Sequence, residues 1–416
     1  MNHAAVPTIA QMPADFWAGK RVFVRADLNV PQNEAGHITD DTRIVETLPT
    51  VRYLLQRGAS VILASHLGRP KGAVVESMRM APVAKRLQQH LPEVTLYAAT
   101  EVCSPTVHLQ ATQLKPGDVL LLENLRFEPG EEANDPALAK NLAQLCDVYV
   151  NDAFGAAHRA HASTAGMAHQ VTHRFAGLLM AKEIEMLSAV LNQPKRPVTA
   201  IIGGSKVSSK LSVLSHLLPK VDCLVIGGGM LFTFLLAQGQ SVGQSLVEAD
   251  LAPEASRLLN AAQQAGVRVL LAEDVRVADR FAEDAQTQVV STESIPDGWM
   301  GLDIGPKSIA AIQAQLSASA TVLWNGPVGV FEMDAFATGT RAVAQSLADL
   351  TESRGASFQS ILGGGDTVAA LERFAIAPQR FTHVSTGGGA SLEFLEGRTL
   401  PGIAALMPTT VTASLV

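Results

Sequence analysis

Short apolar runs recur along the chain, and longer stretches with helical spacing separate them. The runs that predict strands are Val22–Arg25, Val61–Ala64, Val119–Leu122, Val148–Val150, Val198–Ile202, Cys223–Ile226, Val267–Leu271, Thr321–Trp324, Gln359–Leu362 and Thr382–Ser385. Most lack polar alternation, the pattern of parallel strands covered on both faces. The stretches that predict helices include Thr42–Arg57, Pro136–Cys146, Ala181–Asn192, Ser208–Leu218, Ala252–Ala265, Ser308–Ser317, Ala335–Ser353 and Thr367–Phe374. Strand and helix in alternation predict an α/β fold built on doubly wound, mostly parallel sheets with helices on both faces. No fixed-period repeat and no low-complexity tract interrupts the pattern.

The chain has 416 residues, too many for one ordinary core, so two lobes are expected. The division falls near residues 182–197. A helix over Ala181–Leu191 connects the lobes, and Pro194 and Pro197 then break it. The expected domains are 1–185 and 186–400, with 401–416 leaving the second lobe's pattern and returning to the first. The closing Thr409–Val416 is uncharged and reads as a loosely held tail.

Hydrophobic residues make up 47% and charged residues 17%, which excludes a mainly disordered chain. With 32 Lys+Arg against 39 Asp+Glu the net charge is −7, a poor basis for wrapping nucleic acid. Cations gathered locally around a small anion remain compatible with that balance. Cys103, Cys146 and Cys223 stand far apart with no CxxC pair, which points to a reducing, cytoplasmic setting. Residues Met1–Trp17 carry no Lys or Arg and no apolar core of leader length. The longest charge-free stretch, Cys223–Val247, turns polar after Ala237 and falls short of the ~20 residues that span a bilayer. It reads as a buried strand, a glycine turn and a core helix. Without heptads or a long apolar edge the expected state is a monomer.

In open α/β sheets, ligands bind beyond the carboxyl ends of the strands. In the first half these ends carry Arg25–Pro31, Ser65–Pro70, Glu123–Phe127 and Asn151–His161. They bring His66, Arg69, Arg126 and Arg159 to one edge, and Arg43 opens the helix after the first strand. A guanidinium grips a phosphate or carboxylate with two parallel hydrogen bonds, so converging arginines suit a small, multiply charged anion. Asp27 and Asn29 are placed to orient its hydroxyl groups. Taken singly, each arginine is equally a helix cap or half of a surface ion pair. His161, His169 and His173 read as ordinary surface or core histidines.

The second half supplies glycine runs instead: Gly203-Gly204, Gly227-Gly228-Gly229, Gly363-Gly364-Gly365 and Gly387-Gly388-Gly389. Each ends a strand and precedes a helical pattern. Such turns let backbone approach a ligand and aim free N–H groups at it, as a nucleotide-phosphate cradle requires. A single glycine turn is otherwise only a tight connection. Lys206 and Lys210, four apart, are expected on one face of the helix that starts there, sharing an anion. Asp366 at the mouth of the third turn is a reasonable Mg²⁺ ligand. Glu332, after Trp324–Phe331, is a candidate for ribose hydroxyls or a plain surface acid. Neither GxxxxGK[ST] nor GxGxxG occurs.

These segments resemble the phosphoglycerate kinase family. The resemblance is carried by RADLNVP at Arg25–Pro31, SHLGRP at Ser65–Pro70 and ENLRF at Glu123–Phe127. It continues in NDAFGAAHRAHAS at Asn151–Ser163, GGSKVSSKL at Gly203–Leu211 and WNGPVGVFE at Trp324–Glu332. GGGDT at Gly363–Thr367 and STGGGASLEFLEG at Ser385–Gly397 complete it. Ser205, Ser209 and Val328 depart from the family's commoner Ala, Asp and Met.

The resemblance implies a two-lobed, hinge-bending kinase with the sugar acid on the first lobe and the nucleotide on the second. Asp27, Leu28, Asn29, Arg43, His66, Leu67, Gly68, Arg69, Arg126 and Arg159 are then the 3-phosphoglycerate site. Gly203, Gly204, Lys206, Lys210, Gly227, Gly228, Asn325, Glu332 and Gly363, Gly364, Gly365, Asp366 and Thr367 are the ATP/ADP site, with Asp366 for Mg²⁺. Arg43, Lys206 and Lys210 are the expected catalytic residues, acting on 1,3-bisphosphoglycerate and ADP. Another two-lobed kinase for a different phosphorylated acid, or a non-catalytic sugar-phosphate sensor, would share much of this pattern. The tail after Met407 carries no family motif.

Overall fold

The computed structural model describes residues 6–408, so the expected tail Thr409–Val416 lies outside the described residues. The chain divides into two compact units: Met1–Glu185 with Thr399–Val416, and Met186–Arg398.

The first unit is built on β1 (Arg21–Arg25), β2 (Ser60–Ala64), β3 (Leu96–Ala98), β4 (Val119–Leu121), β5 (Val148–Asn151) and β6 (His173–Ala176). Their order is β3-β4-β2-β1-β5-β6, parallel throughout. All residues of β2, β4 and β5 are buried, because helices cover both faces. That burial is why these strands read as unbroken apolar runs. The helix Thr42–Leu55 lays Ile44, Leu48, Val51 and Leu54 on the sheet, a helical stripe packed against Val22, Val24, Val61 and Leu63. Each such buried side chain contributes about 1.5–3 kcal/mol. Residues 399–408 are fastened to this unit. The Gly402 N–H donates to the Ala157 carbonyl at 2.8 Å, and Arg174 donates to the Met407 carbonyl at 3.0 Å.

The second unit contains β7 (Val198–Ile202), β8 (Cys223–Ile226), β9 (Arg268–Leu270), β10 (Asp274–Ala278), β11 (Thr287–Ser291), β12 (Met300–Ile304), β13 (Thr321–Asn325), β14 (Gln359–Gly363) and β15 (His383–Val384). A parallel sheet runs β15-β14-β13-β7-β8-β9, and a smaller antiparallel sheet runs β11-β10-β12. Every residue from Met230 to Leu235 in the helix Met230–Ala237 is buried, as the charge-free stretch predicts.

The expected strands all form, with each bound shifted by at most one residue. Five strands were not expected: β3, β6, β10, β11 and β12. β3 and β11 are largely exposed, and β10 alternates Asp274, Val275, Arg276 and Val277. None of these shows the uniformly apolar run of a strand buried on both faces. Helices Ala81–His90, Pro105–Gln113 and Pro401–Ala404 were likewise unannounced, whereas Gly389–Leu395 is the helical pattern expected after Gly387-Gly388-Gly389.

One expectation is corrected. The helix predicted over Ser208–Leu218 begins only at Leu211, so Lys206 lies in the preceding turn and Lys210 is the cap residue. They do not share a helix face. Serine side chains hold the turn open. Ser209 Oγ donates to the Lys206 carbonyl at 2.9 Å, and Ser208 gives its N–H and hydroxyl to Glu248 at 2.9 and 2.6 Å.

The helix Leu178–Asn192 starts before the expected Ala181, and the boundary between the units falls inside it. Asp152 sits at its first turn and accepts the Met180 N–H at 3.1 Å. Burial pushes the Asp152 carboxyl up to about 6, against bonds from Thr50, Met180 and Leu179 that pull it down. The folded value lies above the unfolded one, so the protonated form is favoured by folding. Its contribution is present below about pH 4 and is lost as pH rises through 6. Relative to Asp152→Asn, the native chain is expected to lose about 2 kcal/mol of stability between pH 4 and pH 7. Urea unfolding at several pH values checks this, and parallel curves would refute it.

Candidate functional site

In the first unit the site is built around a buried arginine. Arg25 ends β1 at 1% exposure. Its Nε donates to Ser163 Oγ at 2.8 Å, one terminal nitrogen donates to the Ala26 carbonyl at 2.5 Å, and the other lies 3.3 Å from His66 Nδ1. A guanidinium only donates, so Nδ1 accepts and the proton of His66 resides on Nε2. Burial holds His66 well below its ordinary range. Arg25, Arg126 and Arg43 reinforce this and Asp27 opposes it. The imidazole is therefore neutral near pH 7.

Asp27 forms an ion pair with Arg43 and accepts the Asn29 N–H at 3.3 Å. Burial alone would raise this carboxyl; His66, Arg43, Arg25 and the Asn29 amide outweigh it and hold it below the usual range. Asn29 Oδ1 accepts the Gly68 N–H at 2.8 Å, and the Gly68 carbonyl accepts from Arg126 at 2.8 Å. These bonds tie the loops after β1, β2 and β4 together. Leu28 and Leu67 have their side chains in the core. Their backbones act as fasteners, Leu28 to Ser65 Oγ at 2.8 Å and Leu67 to Asn124 at 3.1 and 2.7 Å.

Arg126 is 5% exposed and lies 3.2 Å from Glu132, and burial lowers its pKa. Arg159 is half-buried and donates to His158 Nε2 at 3.1 Å. Arg69 is exposed and makes no hydrogen bond or ion pair with any described residue, leaving its whole fork free.

Two residues the sequence reading left out belong to this cluster. His161 is buried there, pushed down to about 4 by burial and by Arg25, Arg126, Arg159 and His158. His169 and His173 are exposed, as ordinary histidines are. Glu131 is fully buried and accepts the Ser163 N–H at 3.0 Å and hydroxyl at 2.5 Å. Nothing in its local sequence announces it.

In the second unit, glycines at the carboxyl ends of β7, β8 and β13 pack backbone against backbone. The Gly203 N–H donates to the Asn325 carbonyl at 2.9 Å and the Gly228 N–H to the Val328 carbonyl at 3.1 Å. A Cβ on Gly203 would collide with the carbonyls of Gly326 and Pro327. One on Gly228, whose φ is +71°, would lie 2.5 Å from the Gly204 carbonyl oxygen. Thr367 is buried, and its hydroxyl oxygen accepts the Gly326 N–H at 2.7 Å.

This interlock surrounds a cavity of about 230 Å³ lined by Gly204, Lys210, Asn325, Gly364, Gly365 and Asp366, among others. Lys210 Nζ donates to Asn325 Oδ1 at 2.6 Å. Burial lowers the lysine's pKa, and the charges of Asp366 and Glu396 oppose that. Asn325 is 1% exposed, and its Nδ2 finds no partner among the described residues. A buried, unsatisfied donor at a cavity wall is a group that a ligand oxygen can satisfy. Asp366 is the one acid lining this cavity and lies in the first turn of the helix Gly365–Arg373. Lys206 is exposed, and Gly227 and Gly363 end strands without lining the cavity.

A larger chamber of about 740 Å³ shares Gly204, Ser205 and Asp366 with the first. Its walls are mostly apolar, including Leu231, Phe232, Leu246, Phe281, Leu302 and Val328, and exposed Glu332 lies at its rim. An apolar chamber opening into an N–H-rich cradle matches a molecule with a flat ring at one end and phosphates at the other. The sequence reading missed this chamber because β12 and the Phe281 loop form much of it.

A profile of the phosphoglycerate kinase family matches residues 14–398. The chain belongs to the phosphoglycerate kinase family. It is 54% identical over 402 residues to a phosphoglycerate kinase of Picosynechococcus, covering 97% of this chain and 99% of that one. It is 55% identical over 391 residues to that of Chloroflexus aurantiacus, covering 94% and 96%. Among solved structures, phosphoglycerate kinase from Coxiella burnetii superposes with a TM-score of 0.86 at 41% identity, covering 96% of this chain and 98% of that chain. That from Pyrococcus horikoshii superposes with a TM-score of 0.75 at 30% identity, covering 96% and 98%. As a phosphoglycerate kinase family member the chain is a transferase of glycolysis, a kinase that acts on small molecules and uses a nucleotide. Among the described residues no helix is long and apolar enough to cross a membrane.

The Arg25–Ser163–Glu131 chain makes a measurable demand. Arg25→Met removes the charge that most favours ionised Glu131, leaves Ser163 and His66 without their donor, and is expected to cost about 3–5 kcal/mol of stability. Adding Glu131→Gln should recover part of that loss. Denaturant unfolding of the single and double variants checks it, and strictly additive losses would refute the coupling.

Proposed function

We propose that the chain catalyses reversible, magnesium-dependent transfer of a phosphoryl group between the acyl phosphate of 1,3-bisphosphoglycerate and ADP, giving 3-phosphoglycerate and ATP. The observation that carries this reading is the second unit's cradle. Half-buried Lys210 and the unsatisfied Asn325 Nδ2 face a cavity with a single carboxylate, Asp366.

In this reading Arg43, Arg69, Arg126 and Arg159, with the Nε2–H of neutral His66, hold 3-phosphoglycerate, and Asp27 and Asn29 set the loops and the hydroxyl contacts. Gly204, Lys210, Asn325 and the amides at Gly364–Asp366 hold the nucleotide phosphates. The apolar chamber takes the nucleoside, and Glu332 at the rim reaches the ribose. Lys206, though exposed and off the helix, remains a candidate for the moving phosphoryl group.

In the reverse direction the acceptor is a carboxylate, ionised near pH 7, so no general base is required. A histidine held neutral and an aspartate committed to Arg43 agree with that. Catalysis is then positioning and charge neutralisation by Arg43, Lys206 and Lys210.

Among the described residues no group of three or more His, Cys, Asp or Glu side chains could cage a metal. A single exposed carboxylate suits Mg²⁺, which binds through one or two carboxylates plus phosphates and keeps several waters. Asp366 would hold it. When bound, the ion would offset the charge of the phosphate oxygens. Because the assigned ligands belong to different units, the proposal includes a domain movement, with the helix Leu178–Asn192 as its hinge. Three free cysteines support a reducing cytoplasm, and a monomer is the proposed state.

Purified protein given 1,3-bisphosphoglycerate and MgADP is expected to form ATP, and EDTA should abolish it; binding of both ligands without turnover would overturn the proposal. Arg43→Ala and Lys210→Ala are each expected to lower kcat roughly 10²–10³-fold. An unchanged kcat in steady-state assays would remove that residue from the catalytic set.

A further inference from the structure

Asp303 lies in β12, opposite Arg276 of β10, and is 3% exposed. One carboxylate oxygen accepts the Ile304 N–H at 2.9 Å and the other accepts the Gly339 N–H at 2.8 Å. Thr338 and Gly339 open the helix Thr338–Arg354, whose own cap residue, Ala337, offers no side-chain cap. An aspartate from a strand therefore caps this helix and meets the positive end of its dipole.

The same carboxylate is pressed against a second segment. A Cβ on Gly329 or on Gly339 would collide with Asp303 Oδ1. The Val330 N–H donates to the Leu302 carbonyl at 2.8 Å, and the Val328 N–H donates to Thr340 Oγ1 at 3.2 Å. The loop of Val328 and Val330, β12 and the helix start thus close around one buried carboxylate. Leu302, Ile304, Val328 and Val330 line the 740 Å³ chamber together with Asp303.

We propose that Asp303 is a positioning residue for the nucleotide: its carboxylate locks the chamber wall onto the helix start, and that lock sets affinity at the nucleoside end. The proposal rests on reading the chamber as the nucleoside site. Its consequence is a dependence on pH. Burial pushes the Asp303 carboxyl up to about 7, against the Gly339 and Ile304 amides, the charge of Arg276 and the Thr338 amide. The charged group that faces it from β10 is Arg276, half-buried. The helix start and the loop bring backbone amides, and the loop's Glu332 is exposed at the chamber rim. The carboxylate accepts those amide bonds better than the acid does. Protons and nucleotide therefore compete, and affinity falls as pH drops through about 7.

The test is calorimetric binding of MgADP, and separately of 3-phosphoglycerate, to the full chain, Asp303→Asn and Arg276→Gln between pH 6 and pH 8.5. ADP's own protonation is common to all three proteins and cancels in the ratios. The native chain should lose roughly 10-fold more MgADP affinity than Asp303→Asn between pH 8 and pH 6. Arg276→Gln should move the midpoint to higher pH, since removing a cation makes the acid easier to protonate. Affinity for 3-phosphoglycerate should keep the same pH dependence in all three. Parallel MgADP curves for the native chain and Asp303→Asn would overturn the proposal, as would an unmoved midpoint in Arg276→Gln, which decides the matter if Asp303→Asn does not fold. No MgADP binding to the native chain at pH 8 would instead sink the nucleoside-site reading itself.

Discussion

At the carboxyl ends of β7, β8 and β13 three backbones cross with no room for a Cβ between them. The rest of the second unit's site depends on that approach. With Gly203, Gly228 and Gly326 in contact, Asn325 is buried at the end of its strand, and its side-chain carbonyl lies within reach of Lys210. Gly364, Gly365 and Asp366, at the start of the helix Gly365–Arg373, line the same small cavity. Any larger side chain at Gly203 would push the β13 loop outward. It would separate the lysine from the asparagine that orients it.

The first unit solves a different problem, that of keeping several cations close together. Arg25 is desolvated completely, which is costly unless its hydrogen bonds are met. Ser163, Ala26 and His66 meet them, and Glu131, pushed upward by burial, accepts the Ser163 hydroxyl behind it. His66 remains neutral beside three arginines, so it adds a donor without adding repulsion. Asp27 anchors Arg43, while Arg69 remains unpaired. The cluster therefore combines fixed cations with at least one free to close on an incoming anion.

The two sites share a design suited to phosphoryl transfer onto a carboxylate. Each supplies oriented positive charge, and neither builds a proton relay. What differs is the source of that charge. Guanidinium groups do it on the first unit. Backbone amides do most of it on the second, with half-buried Lys210 as the cation. Backbone amides carry no side-chain entropy to lose when ligand binds, and guanidinium groups offer paired donors to a carboxylate or phosphate.

Much of this was legible in the sequence. The parallel strands of both units read as apolar runs because burial on both faces leaves no polar alternation. The chemistry-bearing segments follow those strands directly, so their location at one sheet edge was implied by the order of elements. Short-range pattern could not show partners distant in sequence: Glu131 behind Arg25, Asn124 holding Leu67, Thr367 holding Gly326. It also placed Lys206 and Lys210 on a helix that Ser208, Ser209 and Glu248 prevent from starting there. His161 read as ordinary because its neighbours come from β1, the Arg126 loop and Arg159. The sequence by itself determined which residues stand at strand ends, since covalent order and hydrophobic period decide that. Which of them are buried, neutral, paired or free was decided only by the tertiary structure, because desolvation and counter-charges are properties of packing between segments far apart in the chain.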